Sequence, residues 1–255
     1  MRKIIKYVFY DIIRNKVVVA YTMFLLLLSV GLFHLGGSPD KAILSLLNLV
    51  LLTVPLISIV FATMHFYNSY EFMELLVAQP VNRKKIFLSE YLGVACSLAG
   101  AFILGVGVPV LLFGASLTGF YLLLTGVFMT FIFVAMAFLA TVISRDKAKG
   151  IGIALLLWFY FALIYDGIVL LVLYTFTDYP LEHATLALTA LNPIDLGRII
   201  VLLNLDVSAL MGYTGALYKS ILGSMWGIGL AFTLLLVWVL VPLLISKRVF
   251  QKRDI

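Results

Sequence analysis

Six long apolar runs fill most of this chain, and they limit its fold more than any other feature. They cover Val17–Leu35, Ile43–Tyr67, Tyr91–Phe113, Phe120–Ile143, Ile151–Phe176 and Ser220–Ile245. A bilayer core of about 30 Å takes roughly 20 apolar residues as a helix, and in hydrocarbon only helices and closed barrels satisfy their own backbone groups. Runs this long and continuous do not suit barrel strands of about 10 alternating residues. With 64% hydrophobic and 12% charged residues among 255, the chain is not a water-soluble globular domain. The expected fold is an all-α integral membrane protein, a single transmembrane domain over 1–255 with six spanning helices. Basic residues precede the first run as in a secretory signal. Arg2 to Lys16 is too long for that role, however, and no small-residue cleavage pattern follows Leu35, so the run is expected to be retained.

Charge sets the expected orientation. Arg2, Lys3, Lys6, Arg14 and Lys16 precede the first run, Arg83, Lys84 and Lys85 lie in the second connection, and Arg145, Lys147 and Lys149 lie in the fourth. Lys247, Arg248, Lys252 and Arg253 follow the last run, so one side holds 15 of the 18 basic residues, and Lys41, Arg198 and Lys219 are left for the other. The positive-inside bias predicts a multi-pass protein with both termini in the cytoplasm. The net charge of +6 is then a topology signal, and no basic stripe is left over to track nucleic acid.

Three pieces outside the runs carry pattern. In residues 1–16, Ile4, Ile5, Val8, Phe9, Ile12 and Ile13 repeat at helical spacing opposite Arg2, Lys3, Lys6, Asp11 and Arg14. This predicts an interfacial helix on the membrane surface, serving either as an anchor in membrane lipid or as a contact for a partner. In the cytoplasmic segment 68–90, Glu71 to Gln79 can form two helical turns, with Phe72, Leu75 and Leu76 on one side and Glu71 and Glu74 on the other. Pro80 ends the helix, and Arg83 opens a basic cluster at the headgroup boundary. An apolar face beside solvated charges needs something to pack against, and a docked soluble subunit meets that need. In the external segment 177–219, Asn192 suits an N-cap, Pro193 the first helical position, Asp195 the first turn, and Arg198 a pair with Asp195. This helix is read either as resting on the outer leaflet or as a landing platform.

Asp166 lies within the fifth run. A carboxylate there costs roughly 2.5–3.5 kcal/mol when central, so it is expected to face protein or a cavity, as a packing contact such as one at a dimer interface, or as a proton or metal site. Metal ligands are sparse: His34, His65 and His183 are scattered, Cys96 is alone in the third run, and Met64, Met129 and Met136 suit packing. No metal site is expected in this chain. It also lacks G-x-x-x-x-G-K-[ST], G-x-S-x-G and H-E-x-x-H, so no catalytic residue and no ATP site are expected.

The pattern E-x-x-E-L-L-x-x-x-P-V-x-R-x-x-I-x-x-x-E-x-x-G from Glu71 to Gly93 resembles the segment after the second helix of ABC-2 type permeases. That family usually shows E-x-G-T-L-x-L-L-x-x-P-V-x-R, and Phe72 and Met73 stand near the place of the Gly-Thr pair. WFYFALIYDGIVLL at Trp158–Leu171, followed by LNPIDLGRIIVLLN at Leu191–Asn204, is similar to the permease subunits of nitrous oxide reductase maturation systems.

The resemblance implies a non-catalytic subunit of the inner membrane, paired with a second copy of itself and with two copies of a cytoplasmic ABC ATPase that holds the ATP and Mg. It makes Glu71, Phe72, Glu74, Leu75, Leu76, Pro80 and Arg83 the ATPase-coupling residues. Asn192, Pro193, Asp195 and Arg198 become the contact for an external periplasmic partner of NosD type in copper-centre assembly. The alternative function is export of a lipid, peptide or sulfur-containing compound. A stand-alone secondary transporter is disfavoured, with Asp166 the lone charge inside the runs.

Overall fold

The computed structural model describes residues 2–78, 82–144, 146–176, 182–205 and 225–252. Pro80, Arg145, Lys219, Arg253 and the expected start of the sixth run at Ser220 lie outside them. Among the described residues the chain is helical, with no strand. The helices are α1 (Arg2–Ile13), α2 (Lys16–Leu35), α3 (Pro39–Asn68), α4 (Tyr70–Val77), α5 (Arg83–Phe102), α6 (Val108–Phe113), α7 (Leu117–Ile143), α8 (Lys147–Phe159), α9 (Tyr165–Thr175), α10 (Glu182–Ala190), α11 (Pro193–Leu202) and α12 (Met225–Lys252). π turns at Ile103–Gly107 and Tyr160–Ile164 join α5 to α6 and α8 to α9, so six helical segments are long and apolar enough to span a membrane.

Local chemistry sets the element ends. The side chains of Asn15, Ser116 and Asp146 accept backbone N–H bonds at the starts of α2, α7 and α8. Gly37, at φ 67°, makes the tight turn between α2 and α3. The third span starts at Arg83, two turns before the apolar run at Tyr91, and the sixth runs on to Lys252, past Ile245. Packing explains both extensions. Phe87 lies 5.1 Å from Phe250 and 5.5 Å from Phe138, and Phe66 lies 5.1 Å from Phe138, so Phe87 and Phe250, beyond the apolar runs, interlock with rings of α3 and α7.

α3 and α7 form the centre, with α12, α8 and α5 packed around α7. The fourth span is the most enclosed, while the first, fifth and sixth keep broad apolar faces outward. Those faces suit hydrocarbon. The Cys96 side chain likewise points away from the bundle, although it lies in a well-buried span.

α1 packs along α5. Val8 and Ile12 are buried, and a Cβ on Gly93 would fall 2.5 Å from Val8 Cγ1, so the approach depends on glycine. The apolar stripe at residues 4–13 is therefore largely used within the protein, with Ile13 alone of the large aliphatics strongly exposed.

α10 and α11 meet at 111°. α11 was expected outside the membrane core, either resting on the outer leaflet or as a landing platform. Instead it inserts among α3, α7 and α12, with Ile194, Leu196, Ile200 and Val201 almost fully buried. A Cβ on Gly197 would lie 2.7 Å from Thr125 Cγ2 and 2.8 Å from Met129 Cε, two to three turns into α7. The sequence run missed this because it is short and carries two charges.

Candidate functional site

Two polar clusters stand out in an apolar molecule, one around α4 and one around α11. At the first, α3 ends at Asn68 and the chain turns at Ser69 into α4. Met73 is the buried anchor of α4, which the sequence reading did not single out, and Phe72 and Leu76 are half-buried. The Phe72 ring stacks on Tyr7 of α1 at 5.4 Å. Glu71, Glu74 and Leu75 share the opposite, exposed face, with Leu75 67% exposed. Phe72, Leu75 and Leu76 were expected on one apolar side; Phe72 and Leu76 are half-buried against the protein, and Leu75, next to Phe72 around the helix, is the exposed member. Arg83 follows on the first turn of α5, which Asn82 caps through the Lys84 N–H.

Next to this helix lies a buried histidine–carboxyl contact. His65 Nε2 is 3.2 Å from Glu90 Oε1 and 3.3 Å from Ser69 Oγ, and Glu90 is 1% exposed. The pair pins the last turn of α3 to α5 just before the chain departs into α4. Removing either partner would leave a buried polar group without this hydrogen bond. In the sequence His65 falls at the end of the second apolar run and Glu90 just before the third, and an ionisable side chain at such a position is the signal that could have found them. The neighbouring α7–α8 connection is tied to the same corner. Tyr67 Oη donates to the carbonyls of Ser144 (3.1 Å) and Asp146 (3.3 Å), and Lys147 Nζ donates to Asn68 Oδ1 (2.9 Å).

The second cluster gathers Asp166, Asn192, Asp195 and Arg198, which the sequence had left in separate segments. Asn192 Oδ1 accepts from the Ile194 N–H (3.0 Å), while its Nδ2 donates to Asp195 Oδ2 (2.9 Å) and to the Phe161 carbonyl (3.0 Å). That carbonyl lies in the π turn between α8 and α9, where the Tyr165 N–H bonds to Tyr160 O. Arg198 Nη1 reaches Asp195 Oδ1 at 3.1 Å and Asp166 Oδ2 at 3.3 Å. Asp166 is thus a packing contact within one chain. Asn192 is 0% exposed and Pro193 is buried, so of the four expected contact residues only Asp195 and Arg198 offer polar surface.

Three further side chains hold the bent pair and were not singled out from sequence. Tyr165 Oη donates to Leu188 O (2.6 Å), Trp238 Nε1 to Ala190 O (3.1 Å) and Thr118 Oγ1 to Asn204 O (3.0 Å). These donors satisfy carbonyls at helix ends that would otherwise lie unpaired away from water. Polar tips on aromatic side chains within apolar runs are the sequence sign of such roles. Among the described residues no three His, Cys, Asp or Glu side chains gather as a metal site.

Residues 49–255 match the family model described as ABC-2 family transporter protein. The chain is 27% identical over 267 residues to a probable ABC transporter permease protein NosY of Stutzerimonas stutzeri, covering 95% of each. It is 28% identical over 266 residues to a probable ABC transporter permease protein NosY of Pseudomonas aeruginosa, covering 96% of this chain and 95% of the relative. A match over most of the chain, on a helical frame with six candidate spans, makes this chain a NosY-like member of the ABC-2 family of transporter permeases.

Proposed function

We propose that this permease, as two copies bound to two cytoplasmic ABC ATPases, couples ATP hydrolysis to a periplasmic partner of NosD type and so supports assembly of the copper centre of nitrous oxide reductase. The observation that carries the coupling role is the α4 face of Glu71, Glu74 and Leu75, exposed and mixed in character on a helix whose other side is anchored by Met73. ATP and Mg belong to the ATPase. Both termini lie in the cytoplasm, following the basic bias, and α11 is the output, with Asp195 and Arg198 the groups that touch the partner. Full-length similarity to NosY permeases supports the maturation reading over generic export.

Copurification from membranes tests both ends. Leu75→Asp places a charge on the exposed face and is expected to release the ATPase while the permease still extracts folded. Asp195→Asn with Arg198→Gln is expected to weaken capture of the periplasmic partner and leave the ATPase bound. Full ATPase recovery with Leu75→Asp would move the docking surface to the α7–α8 connection. ATP-driven movement of a lipid or peptide in proteoliposomes, with partner capture unaffected by the paired substitution, would favour export.

A further inference from the structure

The elbow between α1 and α2 borders a groove that the coupling reading leaves unused. It has a volume of about 480 Å³ and is lined by Phe9 and Ile13 of α1, Val18 and Thr22 of α2, and Gly100 with Leu104 of the third span. Its polar atoms are already engaged. Thr22 Oγ1 donates to Val18 O at 2.9 Å and Ser97 Oγ to Gly93 O at 2.7 Å, so the groove presents hydrocarbon to an occupant. Gly100 leaves a gap in the wall, since a Cβ there would meet nothing within 4 Å. Leu104 belongs to the π turn, and close packing of Gly105 on Leu25 and Thr22 shuts the far end. At 1.5 Å per residue, Ser97 to Leu104 gives the groove a length of roughly 10 Å along the helix.

Charge lies at the other end. Arg14 and Lys16 flank Asn15 in the elbow, and both are exposed. Asp11 is exposed one turn earlier and Lys6 sits 5.8 Å from the Tyr10 ring, so the balance around the elbow stays positive. Apolar walls with exposed basic residues adjoining Ile13 and preceding Val18 in the chain are the complement of a molecule with an acyl chain and an anionic head. A second copy of the chain suits the groove less well, because a two-fold contact would bring the basic elbow against its own image.

We propose that this groove binds an anionic phospholipid from the leaflet that holds α1. One acyl chain lies between α2 and the third span, and the phosphate meets Arg14 and Lys16. Bound lipid wedges α1 in place and completes the packing that α1 begins on α5.

Native mass spectrometry of the full chain tests this, with equal amounts of dioleoyl phosphatidylglycerol and dioleoyl phosphatidylcholine added in detergent. The wild type is expected to retain phosphatidylglycerol preferentially. Arg14→Gln with Lys16→Gln keeps the groove and is expected to lower that preference by roughly 30-fold, the effect of two basic groups near an anionic surface. Gly100→Leu fills the gap and is expected to lose both lipids, with helical content by circular dichroism checking that the chain is folded. Should Gly100→Leu fail to fold, the elbow variant, altered only at exposed positions, still decides the matter. Equal retention of the two lipids by the wild type overturns the proposal. So does unchanged retention by folded Gly100→Leu, or a dimer lost in that variant with lipid binding intact.

Discussion

At the scale of single residues, Asn192 carries more of the α11 cluster than either charged neighbour. Its amide caps α11, holds Asp195 and occupies the π-turn carbonyl of Phe161, all from a position closed to solvent. Losing an N-cap costs about 1 kcal/mol, and leaving a buried acceptor unpaired costs about 1–3 kcal/mol more. Asn192→Ala is therefore expected to destabilise the chain by about 2–4 kcal/mol, read as a lowered unfolding midpoint in detergent. Arg198 sits differently. Arg198 and Asp166 are each 35% exposed and Asp195 is 15% exposed, so solvent reaches the cluster from the Arg198 side and screens it, and Arg198→Gln is expected to cost about 1 kcal/mol in the same measurement. A large loss with Arg198→Gln and none with Asn192→Ala would reverse this ranking. Sequence reading found Asn192 as a cap and Arg198 as a partner of Asp195. It could not place Asp166 beside them, because that contact depends on how α9 and α11 approach, and 32 residues separate Asp166 from Arg198.

At the scale of elements, the spans were legible because burial in hydrocarbon demands long apolar runs, and both internal ends and breaks were not. The π turns leave no signature in hydropathy, yet the one at Tyr160–Ile164 presents the carbonyl that Asn192 takes. α11 was recognised as a capped helix, but its depth follows from Gly197 admitting Thr125 and Met129 at close range. α4 was placed correctly along the chain, while the side turned toward its own protein was set by Met73 and by Tyr7 of α1, a contact across 65 residues. The same logic makes α1 testable. Gly93→Leu puts a branched side chain where Val8 already sits, so α1 is expected to leave α5 and its amides to exchange faster with solvent. Faster exchange confined to α1 and α4 would match the Tyr7–Phe72 stack, and unchanged α1 exchange would mean that the helix is held by other contacts.

At the scale of the whole molecule, α3 is an element that reaches from the α4 corner to α11. Its last turn holds His65 against Glu90 and leads into α4, and Leu51 near its middle packs at Gly197 of α11. Pro55 stands between them. It has no N–H for the Leu51 carbonyl one turn earlier, so α3 lacks a backbone bond at the level where it meets α11. The carbonyl of the next residue, Leu52, accepts from Trp158 Nε1 of α8 at 3.3 Å, drawing the fifth span to this place as well. A helix with one bond missing bends there more readily than elsewhere, and neighbouring spans hold it in register. On the proposed coupling, movement of α4 would pass along α3 and be converted at Pro55 into displacement of α11. Pro55→Ala restores the bond and good helix propensity without adding bulk. In the assembled complex it is expected to leave ATPase binding intact and to raise thermal stability slightly. Hydrogen exchange of Pro193–Leu202 with and without ATP supplies the decisive reading. The wild type should show an ATP-dependent change there and Pro55→Ala a smaller one, whereas an equal change in both would show that the signal reaches α11 through α7 or α12 instead.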